Sequence, residues 1–379
     1  MPWRECSRMS ERQELVMWAG QPGANISALS RRFGVSRKTA YKWLQRAAGG
    51  DVTLADRSRR PHRSPARTAP SVEARICALR RQDPAWGGRK LAALLREDSV
   101  AHPPAPSTIT GILARHDLLA PDRRRQRDWQ RFEADQPNDL WQMDFKGHIA
   151  TARGRCHPLT VLDDHSRFNV CLAACPDERT GTVQEQLTAV FERYGLPQRM
   201  LMDNGAPWGA GGVHPHTQLT AWLMRLDIEV AHGRPYHPQT QGKEERFHRT
   251  LKGEVLARRP VWPDLGELQR AFDAWRLVYN FRRPHEALAD RPPAMRYMPS
   301  ARPFPATLTP IEYLPSDVIR KVQLAGEIHF RGQEYAIGKA FRGQPVALRA
   351  IDDGIWSVHY CHQQITTINL AVPGHAAEV

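Results

Sequence analysis

The chain has 379 residues, which at roughly 100–200 residues a domain is enough for about two to four domains. Its 54 Lys and Arg outnumber 40 Asp and Glu, giving a net charge of +14 that favours a polyanionic partner such as nucleic acid. The six cysteines form no CxxC pair, no apolar run approaches the roughly 18 residues of a membrane span, and no early stretch resembles a signal-peptide core, so we expect a cytoplasmic protein without zinc or membrane contact.

The excess of positive charge is confined to the front of the chain. Residues 1–134 contain 26 Arg or Lys against 13 Asp or Glu, whereas residues 135–379 contain 28 against 27. A basic front followed by a nearly neutral remainder predicts DNA binding in the front part. A basic surface that serves only solubility is the alternative.

Residues 26–46, "ISALSRRFGVSRKTAYKWLQR", predict a helix-turn-helix within a first domain at 1–50. Gly34 ends the first helix, and Ser36 is placed to cap the second, which would enter the DNA major groove. An ordinary helical hairpin with a solvated basic face is the alternative. The candidate DNA contacts on the second helix are Arg37, Lys38, Thr39 and Lys42.

A second helical unit follows an Arg- and Pro-rich linker at 51–70. The stretches "WGGRKLAALLRED" and "PSTITGILARHDLL" continue a helical apolar period, with Ser107 placed to cap the last of three helices. We therefore predict a DNA-binding unit and a charged connector over residues 71–134.

Beyond residue 134 the pattern changes to alternating strands and helices. "LWQMDFKGHI", "HPLTVLDDHSRFNVCLAAC", "RMLMDNG" and "IEVAHG" indicate strands, and amphipathic helices lie between and after them. This order predicts a mixed sheet with helices on both faces, in a domain with trailing helices at 135–300.

Three carboxylates stand apart from the surface charge. Asp144 lies inside an apolar strand, Asp203 ends another, and a glutamate begins the helix after "IEVAHG". Burying a carboxylate is costly unless it is paired or binds a cation, and Mg²⁺ prefers a few such oxygen ligands. Two such ions are suited to phosphodiester chemistry. Asp163 and Asp164, in contrast, are interpreted as turn residues.

The motifs "MDFKGH", "MDNG" and "YHPQTQGKEERFHRTLK" resemble the three blocks of the DDE catalytic core of retroviral integrases and bacterial insertion-sequence transposases. Intervals of 58 and 41 residues separate Asp144, Asp203 and Glu245, and both resemble the family's spacing. The resemblance to the insertion-sequence branch extends over nearly the whole chain, through "WGGRKL" and "VYNFRRPHEALADRPP". The chain lacks the His/Cys zinc module that precedes the core of retroviral members.

The resemblance implies a ribonuclease-H-like fold, Mg²⁺ with Mn²⁺ as a substitute, and DNA strand transfer. It also implies a homo-oligomer, a dimer or tetramer, on double-stranded DNA, and thus a nucleoid-associated protein in a bacterial cytoplasm. The family pattern Q-G-x-x-E matches Gln241, Gly242 and Glu245, which makes Glu245 the third catalytic and metal-binding residue beside Asp144 and Asp203.

The helical period supports this assignment independently. Residues at i, i+4 and i+7 share a face, so Glu245, Arg249 and Lys252 line up and place two cations where DNA phosphates must lie. Glu244 falls nearer the buried side, where it would cap the helix or support a ligand. The alternative is an ordinary surface pair of Glu245 with Arg249. Further candidate DNA contacts are Lys243 and Tyr236.

The end of the chain is β-rich. A linker at 301–318 precedes short alternating strands at 319–379, which predict a small antiparallel β-barrel, SH3-like by the same resemblance. DNA binding and protein assembly are both open as its function.

These patterns together predict a DNA transposase. It would bind the terminal repeats of an insertion sequence, cut at the 3′ ends with metal-activated water, and join the 3′-hydroxyl to target DNA. A nuclease of the same fold that only hydrolyses, and a non-catalytic DNA-binding regulator derived from a transposase, are the alternatives.

Overall fold

The computed structural model describes residues 8–57, 67–98, 100, 102–119, 133–209, 215–233, 242–371 and 376–377. The chain divides into two compact units, Met1–Arg67 and Thr68–Val379. None of the described helices combines the length and the apolarity that crossing a membrane requires.

The first unit is a small helical domain. Its helices are α1 (Arg8–Ala19), α2 (Ile26–Arg32) and α3 (Arg37–Ala48). Ser36 caps α3, as predicted, because its side chain accepts a hydrogen bond from the backbone N–H of Thr39. The fully or nearly buried side chains of its core are Leu15, Val35, Ala40, Trp43 and Leu54.

The second unit begins with the predicted group of three helices, α4 (Pro70–Gln82), α5 (Gly88–Glu97) and α6 (Pro106–Arg115). A Cβ added at Gly88 would lie 2.4 Å from the carbonyl oxygen of Pro106, so this glycine lets α5 and α6 approach closely. The predicted cap at Ser107 is wrong, because α6 starts at Pro106, and Ala105 holds the cap position without a side-chain bond.

The central sheet has six strands: β1 (Leu140–Phe145), β2 (Ile149–Thr151), β3 (Gly154–Asp163), β4 (Asn169–Cys175), β5 (Arg199–Met202) and β6 (Glu229–His232). β1 pairs antiparallel with β3 and parallel with β5, β4 pairs antiparallel with β3, and β6 pairs parallel with β5. β2 forms a short hairpin with the start of β3. This is the predicted mixed sheet of a ribonuclease-H-like core.

Helices cover both faces of this sheet, as predicted. They are α7 (Thr180–Tyr194), α8 (Gln218–Arg225), α9 (Gly242–Glu254) and α10 (Leu265–Phe281). One apolar cluster joins the sheet to α7 and α8, and another joins it to α9 and α10. Because successive strand residues point to opposite faces, neighbours such as Val161 and Leu162 fall into different clusters.

The segment after the core helices lies against the end of α7. Gly195 ends this helix at a φ of 75°, and a Cβ there would lie 2.6 Å from the carbonyl oxygen of Arg302. The backbone N–H of Leu196 donates to that same carbonyl at 2.8 Å. The beginning of the predicted linker is therefore held to the core.

The C-terminal part consists of antiparallel sheets, consistent with the predicted β-rich end. Its strands are β7 (Val318–Lys321), β8 (Glu327–Phe330), β9 (Gln333–Ala336), β10 (Pro345–Asp352), β11 (Ile355–Tyr360), β12 (Gln363–Asn369) and β13 (Ala376–Ala377). Five of them form a sheet in the order β13-β12-β11-β10-β7, and β8 pairs with β9. Ala221 and Met224 of α8 join their apolar cluster, so these sheets pack on the domain that contains the central sheet.

Candidate active site

Two of the predicted carboxylates lie side by side at the carboxyl ends of neighbouring parallel strands. The parallel strands β1 and β5 pair Gln142 with Leu201, and the same register continued by two residues sets Asp144 beside Asp203. Burial and then the charge of Asp203 raise the pKa of Asp144 to about 7. The fold thus forces together two carboxylates that repel one another when both are ionised.

This donor set fits a divalent cation. Carboxylate oxygens are hard ligands, and a cation between them would offset the burial and the repulsion that disfavour the charge on Asp144. Within the described ranges, no group of three or more His, Cys, Asp or Glu side chains is placed to hold a metal ion. The structure therefore brings together Asp144 and Asp203 but does not add Glu245 to them.

The two neighbouring glutamates of α9 face opposite environments. Glu244 belongs to the buried stripe of the helix, and 1% of its side chain is exposed. The side chain of Glu245 is 65% exposed, and its Oε1 lies 2.8 Å from Nη2 of Arg249. The exposed face shared by Glu245, Arg249 and Lys252 is present, and so is the surface ion pair considered as its alternative.

Thr160 connects the buried glutamate to the aspartate strand. It lies opposite Asp144 in the β1–β3 register, and its Oγ1 is 3.0 Å from the Asp144 carbonyl oxygen. The same hydroxyl lies 2.9 Å from Oε2 of Glu244 and 2.8 Å from Nε2 of His248. Burial and the nearby Asp144 charge raise the pKa of Glu244 well above its ordinary value.

His248 completes this buried group. Its Nδ1 lies 3.8 Å from Oδ2 of Asp144, and burial together with the nearby Lys146 lowers its pKa to about 4. Sequence reasoning did not single out Thr160 or His248. The one signal for His248 was its position four residues after Glu244, on the same helical face.

Models of known protein families match successive parts of the chain. Models described as "Integrase core domain" match residues 134–238 and 226–293, and "IS481 family transposase, C-terminal domain" matches residues 317–375. In front of these, "Helix-turn-helix domain" matches 11–62 and "Homeodomain-like domain" matches 39–113. Together these matches support a bacterial insertion-sequence transposase with an integrase-type core.

The chain is also similar to individual proteins and to solved structures. The transposase is 24% identical to an uncharacterised protein of insertion element IS476 from Xanthomonas euvesicatoria, over 77% of this chain and 88% of that protein. It is 26% identical to an uncharacterised protein of IS407 from Burkholderia multivorans, over 57% of this chain and 77% of that one. The HTLV-2 integrase catalytic core, solved with magnesium, is 15% identical with a TM-score of 0.34, covering 43% of this chain and 99% of that one.

The remaining predicted DNA contacts of the transposase lie in different settings. On α3, Arg37, Lys38 and Lys42 are exposed, whereas Thr39 is half-buried and its hydroxyl lies 2.9 Å from that of Ser36. Lys243, at the start of α9, forms an ion pair with the buried carboxylate of Asp164. Tyr236 lies outside the described residues.

Asp163 and Asp164 organise the turn after β3, where the sequence placed them. Asp163 accepts hydrogen bonds from the backbone N–H groups of Ser166 and Asn138, both at 2.7 Å. Asp164 accepts from the backbone N–H of Ala134 at 2.7 Å. Both aspartates are fully buried, so their role is to hold the chain where it joins the sheet.

Proposed function

We propose that this transposase binds the ends of an insertion sequence, cuts the DNA at the 3′ ends, and joins the freed 3′-hydroxyl groups to target DNA. The observation that supports this proposal most is the close approach of Asp144 and Asp203 at the carboxyl ends of β1 and β5, in a region that matches an integrase core domain. The cationic face of α9, formed by Arg249 and Lys252, favours a DNA backbone on this side of the core.

Asp144, Asp203 and Glu245 would hold Mg²⁺, with Mn²⁺ as a substitute. The ions, when bound, supply charge neutralisation at the reacting phosphate and a water of lowered pKa. Support for Glu245 comes from its place in the Q-G-x-x-E pattern and from its exposure, which leaves its carboxylate accessible once it releases Arg249. Glu244 is the rival, because it is the glutamate whose pKa responds to Asp144.

The chemistry is two successive displacements at phosphorus. In the first, the oxygen of water bonds to the phosphorus at the element end, and the 3′-oxygen of the element leaves as a hydroxyl. In the second, that hydroxyl attacks a phosphodiester of the target, and the 3′-oxygen of the target leaves. Neither step needs a covalent enzyme intermediate, so no serine or tyrosine nucleophile is proposed.

The parts of the chain would divide this work. The helical units at 1–50 and 71–134 would recognise the element ends, through Arg37, Lys38, Thr39 and Lys42 in the first unit. The core at 135–300 would carry out the chemistry, with Tyr236, Arg249 and Lys252 against the DNA. Two ends must be joined to one target, which favours a dimer or tetramer on DNA. For the sheets at 319–379, DNA binding and protein assembly are both kept as proposed functions.

A strand-transfer experiment tests this function. The full chain is incubated in Mg²⁺ with a labelled DNA duplex that carries an element end and with an unlabelled target plasmid. We expect shortened end strands and, from pre-cut ends, label joined to the plasmid, with neither product from the Asp144→Asn variant. Shortened strands without joining would identify a nuclease, and selective binding without either product would identify a regulator.

A further inference from the structure

The first turn of α9 is anchored to the sheet by a buried ion pair. The ammonium of Lys243 meets Oδ1 of Asp164, and only 19% of the lysine side chain and none of the aspartate side chain are exposed. The Nζ of Lys243 also lies 3.4 Å from the Asp164 carbonyl oxygen. A buried charge left without its partner is strongly unfavourable, so this contact fixes the lysine in place.

The same carboxylate holds two other segments. Its Oδ1 accepts from Nε2 of Gln142, two residues before Asp144 on β1, at 2.7 Å. Its Oδ2 accepts from the backbone N–H of Ala134, where the connector from the front of the chain joins the core. Asp164 is therefore one fixed point shared by the strand that carries Asp144, the connector, and the turn that carries Glu245.

The cations of α9 differ in their surroundings. Arg249 and Lys252 extend from the exposed face of the helix, where a DNA backbone has access to them. Lys243 points instead into the turn after β3 and would have to abandon Asp164 to reach a phosphate. Losing that pair would remove the positive charge that faces a fully buried carboxylate and leave it only its hydrogen bonds from Gln142 and Ala134.

We propose that Lys243 is a positioning residue rather than a DNA contact. Its ion pair with Asp164 sets the start of α9 relative to β1, and so sets Glu245 relative to Asp144. This rests on the proposed function, because it concerns the assembly of the same carboxylate site. A displacement of about 1 Å at a reacting centre is enough to lower a rate roughly 10²-fold.

The first experiment compares Lys243→Met with Lys252→Met in the full chain. Methionine keeps an unbranched side chain but removes the charge. Saturating single-turnover joining of a pre-cut DNA end in Mg²⁺ is measured beside DNA affinity over a salt series. For Lys243→Met we expect the rate to fall roughly 10²-fold while the affinity and its salt dependence stay as in the wild type. Lys252→Met, the matched contrast, should weaken affinity and reduce the salt slope by about one.

The second experiment tests the partner. Asp164→Asn should also lower the saturating rate, and the double variant Lys243→Met/Asp164→Asn should be no slower than the slower single variant, since both break one interaction. Lys243→Arg, which keeps the charge, should recover most of the rate. Melting temperatures are recorded for every variant, and Lys243→Gln replaces any Lys243→Met protein that does not fold.

Several results would overturn this role. They are an unchanged saturating rate in Lys243→Met or Lys243→Gln, a loss confined to salt-dependent affinity, and strictly additive effects of Lys243 and Asp164 substitutions. The wild type joins the same pre-cut end in every series if the proposed function is right. If the wild type does not join the pre-cut end, the proposed function itself is refuted. If the wild type joins it and Lys243→Met joins it at the same saturating rate, only the positioning role is refuted.

Discussion

Thr160 on β3 donates a hydrogen bond to Glu244 on α9, with 2.9 Å between Oγ1 and Oε2, and thereby links the helix to the strand next to Asp144. The contact is possible because Glu244 lies on the same buried stripe of α9 as Phe247 and Leu251. A carboxylate at a position that otherwise packs apolar side chains needs such a partner. Glu244 therefore belongs to the interior, close to the strand that carries Asp144, whereas the neighbouring Glu245 belongs to the exposed face of α9.

Substitution of the two glutamates is predicted to have different effects on the joining rate when the two variants are measured side by side. Glu245→Gln should remove metal-dependent joining of a pre-cut end, because a neutral amide is a poor ligand for Mg²⁺. Glu244→Gln keeps a hydrogen-bond acceptor for Thr160 and should retain a measurable rate, lowered about 10–100-fold as for other supporting contacts. The measurement is single-turnover joining in Mg²⁺. An active Glu245→Gln with an inactive Glu244→Gln would make Glu244 the third ligand.

Replacing either aspartate should lower the rates of cleavage and joining but leave the binding of element ends intact. Asp144→Asn and Asp203→Asn are each expected to lower cleavage and joining by at least about 10³-fold, since each removes a charge that a divalent cation needs. Selective binding of element ends should persist, because recognition is assigned to the front helices. Gel-shift and cleavage assays on the same proteins measure both. Asp352→Asn, at an exposed position of β10, is the control and should behave as wild type.

The exposed cations of α9 are expected to act through the DNA backbone. Arg249→Ala and Lys252→Ala should weaken binding of the DNA end at low salt, and the difference from wild type should shrink as salt rises. The control is Arg193→Ala, an exposed arginine on α7 at the opposite face of the sheet. An effect of equal size at all salt concentrations would argue against phosphate contacts.

The exposed residues of α3 should determine which DNA is bound. A variant with Arg37, Lys38 and Lys42 all replaced by alanine should lose its preference for element ends over random duplex. A base contact is worth about 1–3 kcal/mol of discrimination, whereas a phosphate contact weakens all sequences alike. Competition binding measures the preference, with Lys252→Ala expected to weaken both DNAs equally. A triple variant that still selects its own ends would place recognition elsewhere.

Buried His285 should make the stability of the transposase depend on pH. Burial and the nearby Arg283 lower its pKa to about 3, so between pH 6.5 and 3 the unfolded chain binds a proton that the folded chain does not. Stability is therefore lost as pH falls, by about 2 kcal/mol at pH 5 from this group. His285→Gln should narrow the difference in melting temperature between pH 7.5 and pH 5. His329→Gln, at an exposed histidine, is the matched control.

The sequence by itself determined the local elements and the residue types of the site. Alternation and helical periods located the strands, the helix-turn-helix with its Ser36 cap, and the two aspartates, because these features depend on neighbours close in the chain. The helical period also separated Glu244 from Glu245, since adjacent residues lie about 100° apart around a helix. The cap predicted for α6 at Ser107 was wrong, because Pro106 occupies the first position of the helix and places the cap two residues earlier, at Ala105.

Only the tertiary structure decided which side chains meet. The partnership of Lys243 with Asp164 joins positions 79 residues apart, and that of Thr160 with Glu244 joins positions 84 apart. Neither follows from local pattern, because a lysine in a basic helix and a threonine in an apolar strand are compatible with many surroundings. The packing of α9 against the sheet placed Lys243 in a buried ion pair and left Arg249 and Lys252 exposed. Burial is a property of the assembled layers, and it gives similar charges on one helix different surroundings.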